Sequence, residues 1–444
     1  MPGMSWATAL AFVAVAAAAL VVRLREGSWY SPTAFFSAFW SVLCVLPLIL
    51  GPIPVAAAGV LFIASACVAV FVGSEVARRR LTDNGQLVLV PNRLPFLESL
   101  IVVSIILGIA GVVIVLESRG RGPQVFLSLR ALAAVAHDFS VARYSGGWQE
   151  PASARVLVTF NYLGALLGGV LLGIRRSGWT RWLAAAAFIP SLMTAIVLTT
   201  KASLALPLGL AFSTYLATRL AANTSMPRWG TKWVFRLAVP SVALLGIFVL
   251  IQMGRYSYTT LAQAGTVLTI FRVELFPYLG VFSDWLQRGG WATAKPSWGL
   301  YTFAGEFDLL QLGHRAAGIF TDQAYVDGAP YNIYTAFRGL IEDFTLPGAL
   351  AVLALLGYGA QVAFSRVRRG DIRFVAPLAA FYIFTLWSFI VDVFAYNTIL
   401  AAYALLTAYL LLAPLSQVNN AATRLDRLWL REGRSHLTAG SAES

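Results

Sequence analysis

The sequence predicts an all-α polytopic integral membrane protein of about eleven transmembrane helices, with one large outer loop that carries short amphipathic helices. Three observations predict it. Apolar runs of about 18 or more residues recur along the whole chain. Of its 444 residues, 58% are hydrophobic and only 12% charged, a balance that excludes an ordinary soluble globular domain. The net charge of +13 is gathered in short segments between apolar runs. That is the positive-inside arrangement of a membrane protein, not a basic face for nucleic acid, so no nucleic-acid partner is expected.

Taken in order, the first span covers about residues 5–22. No basic residue precedes it, as a cleaved leader would require, so it reads as a retained helix. Arg23 and Arg25 follow on the inner side. Spans at about 32–50 and 53–73 turn at Gly51-Pro52, and Arg78, Arg79 and Arg80 return the chain inward. A fourth span at about 96–116 leads to a first outer loop, 117–152, where Gln124 to Phe139 reads as a surface helix with Arg130 and His137 on one face. Spans at about 153–174, 182–199, 203–219 and 236–253 complete the segment 1–253, with Thr199-Thr200-Lys201 at an outer tip. Residues 254–344 are too polar to span and form the large loop. The segment 345–416 holds three more spans, about 346–364, 374–391 and 396–414, the last two enclosing an outer turn at Asp392. A basic tail, 417–444, is placed in the cytoplasm. Cys44 and Cys67 lie within apolar spans and read as core residues.

The stretch 330–348, PYNIYTAFRGLIEDFTLPG, closes the large loop. On a helix, Asn332, Thr335, Arg338, Gly339, Glu342 and Asp343 fall within roughly 140° of arc, with Ile333, Phe337, Leu340, Ile341 and Phe344 opposite. The pattern Asn-x-Tyr-Thr-x-Phe-Arg, a hydrophobic pair, then acid-Asp-Phe and a Gly resembles the signature before a late transmembrane helix in bacterial O-antigen and oligosaccharide repeat-unit polymerases, the Wzy-type enzymes. It departs from that signature at Thr345-Leu346-Pro347, where the Gly normally follows Asp-Phe directly.

The resemblance implies a membrane glycosyltransferase of GT-C-like architecture, without a cofactor, in the bacterial cell inner membrane. Its active site would lie on the periplasmic, outer face. It would use a polyprenyl-diphosphate-linked oligosaccharide (undecaprenyl diphosphate is the usual carrier) as donor and acceptor in polysaccharide and lipopolysaccharide biosynthesis, with a chain-length regulator as a further partner. Two rival readings are an O-antigen ligase, which transfers the same donor to a lipid-A core, and a polysaccharide flippase or transporter. The long outer loop and the absence of an internal repeat oppose the transporter.

Arginines on the outer side are the candidate phosphate ligands, because guanidinium binds phosphate oxygens bidentately and keeps its charge in a partly dry site. They are Arg119, Arg121, Arg130, Arg143, Arg255, Arg272, Arg288, Arg315 and Arg338. Pairing with nearby acids or lipid headgroups is the other account of them. Arg338 serves either as such a ligand or as an i,i+4 partner of Glu342. Lys201 is a phosphate contact or an anchoring lysine. Arg272 and Glu274, two residues apart, cannot share a helix face. The candidate proton acceptors are Asp343, placed first by the motif, with Glu342, Glu274, Asp284, Glu306, Asp308 and His314, the last because imidazole titrates near neutrality. Asn332, Tyr334 and Thr335 complete the expected sugar and pyrophosphate contacts. Glu306-Phe307-Asp308 reads as part of a short helix, which sends the two acids apart, so no metal site is expected there. No P-loop, dinucleotide fold, His-Glu-x-x-His or Gly-x-Ser-x-Gly pattern occurs.

Overall fold

The computed structural model describes residues 6–81, 94–145, 147–174, 178–222, 231–256, 263–293, 295–312, 320, 324–326, 328–331 and 333–413. The helices are α1 (Trp6–Glu26), α2 (Pro32–Leu50), α3 (Ala57–Arg80), α4 (Leu97–Glu117), α5 (Leu129–Tyr144), α6 (Ala152–Ile174), α7 (Gly178–Ala186), α8 (Ile189–Val197), α9 (Ala202–Ala221) and α10 (Thr231–Arg255). They continue as α11 (Ala264–Leu275), α12 (Tyr278–Gln287), α13 (Gly290–Thr293), α14 (Ala304–Leu309), α15 (Ala336–Arg368), α16 (Val375–Trp387) and α17 (Asn397–Ala413). Between α14 and α15, β1 (Ala324–Val326) and β2 (Ala329–Tyr331) form a small antiparallel hairpin, with Tyr325 opposite Pro330. This is an all-α polytopic membrane protein. Among the described residues, nine helical segments are long and apolar enough to cross a bilayer, and three shorter apolar helices, Val242–Arg255, Ile372–Trp387 and Asn397–Ala413, accompany them.

A helix lies at each of the eleven expected spans, but two differences stand out. The sixth is interrupted. Pro190 has no N–H to give to the preceding turn, and the chain divides into α7 and α8 around Ala187-Phe188. The second difference is Gly265–Gln287, inside the stretch read as too polar to span, which has the length and apolarity of a membrane helix. Two short apolar helices joined across Phe276-Pro277 make it up, and neither is conspicuous alone.

Close packing uses small residues, as expected where lipid supplies no hydrophobic drive between helices. Alpha-helices α3 and α15 meet at Gly73 and Gly357, where a Cβ on either glycine would collide with the backbone of the other helix, at Ala354 or Val70. Ser74 Oγ donates to Gly357 O at 3.0 Å across this contact. Helices α6 and α9 pack in the same way, with Thr214 Oγ1 donating to Leu166 O at 3.0 Å. Tyrosines tie distant segments together: buried Tyr382 donates from Oη to Tyr30 O at 2.5 Å and half-buried Tyr409 from Oη to Pro95 O at 2.9 Å. At one end of the bundle Arg25 and Arg78 pair with Glu75 and Glu26, joining the ends of α1 and α3. The opposite end, where α3, α9 and α15 begin, carries the candidate site.

Candidate functional site

Helix ends build the site. Thr199, in a left-handed conformation at φ 51°, turns the chain from α8 into α9 and leaves Lys201 at its first turn. Arg255 is the last residue of α10, where a cation complements the partial negative charge of the helix C-terminus. Arg143 stands likewise in the last turn of α5. These three cations line one cavity of about 510 Å³, together with Thr199, Thr200 and Glu274. Leu244, Leu245 and Phe248 of α10 form one apolar wall, and Trp387, Phe389, Ile390 and Tyr396 another.

Glu274, in the last turn of α11, is the anionic member. Its carboxylate pairs with Lys201 Nζ, accepts from Gln252 Nε2 at 3.1 Å and lies 3.6 Å from Arg255 Nη1. Lys201 Nζ also sits 4.5 Å from the centre of the Phe271 ring. Burial pushes the Lys201 amine below its ordinary range, with Arg255 adding to the push, while Glu274 pulls it back up. Arg272 and Glu274 do serve different partners. Arg272 is exposed and donates from Nε to Leu50 O, at the end of α2, at 2.6 Å, outside the cavity.

A second charged cluster lies on the first part of α15. The helix opens at Thr335 (φ 70°) and breaks at Thr345 (φ 63°), so Ala336 to Phe344 is a short helix ahead of the long span. Of the expected polar face, Arg338, Gly339, Glu342 and Asp343 lie on this helix while Thr335 stands ahead of it in non-helical backbone, and the face does not meet water: residues 336–343 are all buried. Arg338, 1% exposed, donates from Nε to Glu342 Oε1 at 2.7 Å. Its guanidinium lies 4.2 Å from the ring centres of Phe320 and Tyr334 and 4.9 Å from that of Trp285. Tyr334 Oη in turn accepts from Ala324 N.

Asp343 is fully buried and accepts from Ser297 Oγ at 2.5 Å, Tyr301 N at 3.0 Å and Thr302 N at 2.6 Å. The backbone completes the clamp. Pro347 cannot donate to Asp343 O, and Trp298 N does so instead at 3.1 Å, beside Ser297 N on Glu342 O at 3.2 Å. Nearby, α14 packs its Gly305 against Ala395 and Asn397, which brings Glu306 toward buried Asp392. Burial, with the charges of Glu306 and Asp343, pushes the Asp392 carboxyl up to about 7, against the pull of its bond from Phe394 N. Burial also raises Glu306.

The structure therefore divides the expected residues. Lys201, Arg143, Arg255 and Glu274 converge on the cavity, whereas Arg338, Glu342, Asp343, Tyr334 and Thr335 are packed away from it. Arg288 is exposed and pairs with Asp284 one turn earlier at 2.6 Å. His314, Arg315, Asn332 and the tail lie outside the described residues. Gln252 escaped the sequence reading, although a glutamine three residues before Arg255 at the end of a span puts two polar groups on one face, which was the available signal. Trp387 and Tyr396 carried none, because an aromatic at a span end is ordinary. Among the described residues no three His, Cys, Asp or Glu side chains gather as metal ligands.

Fold and site together define the class: a polytopic helical membrane protein with a cationic, apolar-walled cavity at one end of its bundle. Comparison with protein-family models, curated proteins and solved structures finds no match for the chain.

Proposed function

We propose that this protein is a membrane glycosyltransferase that polymerises lipid-linked oligosaccharide repeat units. It would transfer the growing glycan from polyprenyl diphosphate to the non-reducing sugar of another lipid-linked unit, on the outer face of a bacterial inner membrane. The observation that carries the reading is the cavity itself. Three cations converge on a space whose remaining walls are aliphatic and aromatic, a match for an amphiphile with a multiply charged head and a hydrocarbon tail. The motif at Asn332–Asp343 supports it by resemblance.

In this reading the diphosphate lies against Lys201, Arg255 and Arg143, and the isoprenoid along Leu244, Leu245 and Phe248. The acceptor hydroxyl attacks the anomeric carbon as the bond from that carbon to the diphosphate oxygen breaks. The electron pair leaves with the diphosphate, where fixed cations stabilise it. The hydroxyl proton passes to a carboxylate. Of the expected proton acceptors that are described, Glu274 is the one facing the cavity.

The test uses the full chain in nanodiscs with polyprenyl-diphosphate-linked repeat units. The wild type should make a ladder of longer glycans, and should do so in excess EDTA because side chains supply the positive charge. Arg255→Ala should lose about 2–3 kcal/mol of transition-state stabilisation, roughly 30- to 200-fold in rate, with normal membrane abundance. Transfer only to a lipid-A core oligosaccharide would make the enzyme a ligase. Normal elongation by both Arg255→Ala and Lys201→Ala would sink the assignment of the cavity.

A further inference from the structure

A cationic cavity with apolar walls faces a problem of selectivity in a bilayer. Anionic phospholipids carry a phosphodiester head on hydrocarbon chains, and they greatly outnumber any carrier lipid. Lys201, Arg255 and Arg143 with Leu244, Leu245 and Phe248 would suit such a lipid too. The seat of Glu274 addresses this. Its carboxylate already occupies the Lys201 amine and the Gln252 amide, and Arg255 stands 3.6 Å away. Its backbone is anchored separately, because Tyr331 Oη, buried in β2, donates to Glu274 O at 3.2 Å. The side chain can thus leave its partners while the residue stays in place.

We propose that Glu274 is a specificity-determining residue, an internal anion that a ligand must displace from Lys201, Gln252 and Arg255 before it can bind. The proposal rests on the reading of the cavity as a diphosphate site. A phosphodiester headgroup exchanges one negative charge for another and gains little. A diphosphate brings a second charge and more acceptor oxygens, enough to hold Lys201 and Arg255 and reach Arg143, so it gains where the phospholipid does not. Specificity then comes from a competitor built into the site, since discrimination is a difference between two affinities. Displacement also frees a carboxylate beside the newly bound diphosphate, so the group proposed as proton acceptor becomes available only when the donor is present.

The test measures binding of farnesyl diphosphate to the full chain in nanodiscs of phosphatidylcholine and in nanodiscs rich in phosphatidylglycerol. Wild type should bind about equally in both. Glu274→Gln should bind about tenfold tighter in phosphatidylcholine and lose that gain in phosphatidylglycerol. Gln252→Ala, which removes a donor to Glu274 without changing charge, should shift both readings the same way by about threefold. If Glu274→Gln binds no tighter, or is as indifferent to anionic lipid as wild type, Glu274 does not compete and the inference is overturned. If Lys201→Ala and Arg255→Ala both bind the probe like wild type, the diphosphate reading itself has failed.

Discussion

Two charged clusters lie at the same end of this molecule, built from the same residue types and opposite in character. Around Glu274, Lys201 and Arg255 approach one carboxylate from the ends of separate helices, and the group opens into a cavity of about 510 Å³. Around Arg338 and Asp343, ion pair, aromatic rings and backbone amides close over the charges. Charge at a cavity wall is available to a ligand. Charge enclosed by rings and amides contributes to holding the chain together, because removing one partner would strand the other without solvent. An arginine in a suggestive motif and an arginine at the end of a span are therefore different propositions, and the surroundings decide which is which.

The sharpest way to break this contrast is Asp343→Ala. It should strand the amides of Tyr301 and Thr302 and release the loop 297–302, costing about 3–5 kcal/mol and most of the membrane-inserted protein. Thermal unfolding in detergent, with immunoblotting of membranes, checks it. A variant of normal abundance and stability that lacks activity would instead put Asp343 in the chemistry, as the motif implies.

Asp392 should give the next largest effect, expressed through pH. Its folded carboxyl titrates at about 7, above the usual carboxylate range. A raised pKa means that the folded state favours the protonated form. The stabilisation is complete below about pH 4 and is lost as pH rises toward and through about 7. Asp392→Asn should remove that loss, on the order of 2–4 kcal/mol, and flatten the melting temperature across the window. An unchanged slope would show that Asp392 does not carry it.

Arg338→Lys comes third. Lysine keeps the charge but not the flat guanidinium between Phe320, Tyr334 and Trp285, so stability should fall by about 1–2 kcal/mol. Activity per folded molecule should hold. If activity falls while the melting temperature stays, Arg338 belongs with the cavity residues in role, and the contrast between the clusters is wrong. Arg288→Ala should matter least. Its pairing with Asp284 is exposed on both sides, so less than about 0.5 kcal/mol and no loss of activity are expected from melting and elongation assays.

Much of the architecture was legible in the chain. Each apolar run is helical, the run at 182–199 as the pair α7 and α8, since a span must be apolar for its length and its backbone must satisfy itself. Gly265–Gln287 escaped because Pro277 divides its apolar length into two short pieces. Lys201 and Arg255 were legible as cations at the ends of apolar spans, and Arg143 as an outer arginine in the turn after a surface helix. Their gathering with Glu274 was not, since residues 143, 255 and 274 lie on three helices, 201 stands at the start of a fourth, and no periodicity links them. For α15 the sequence determined the short helix, its charged face and the break before Pro347, all consequences of local geometry. Only the tertiary structure decided what that face meets. It meets the amides of 297–302 and the rings of Trp285, Phe320 and Tyr334, because whether a charge faces water, lipid or protein depends on segments distant in sequence.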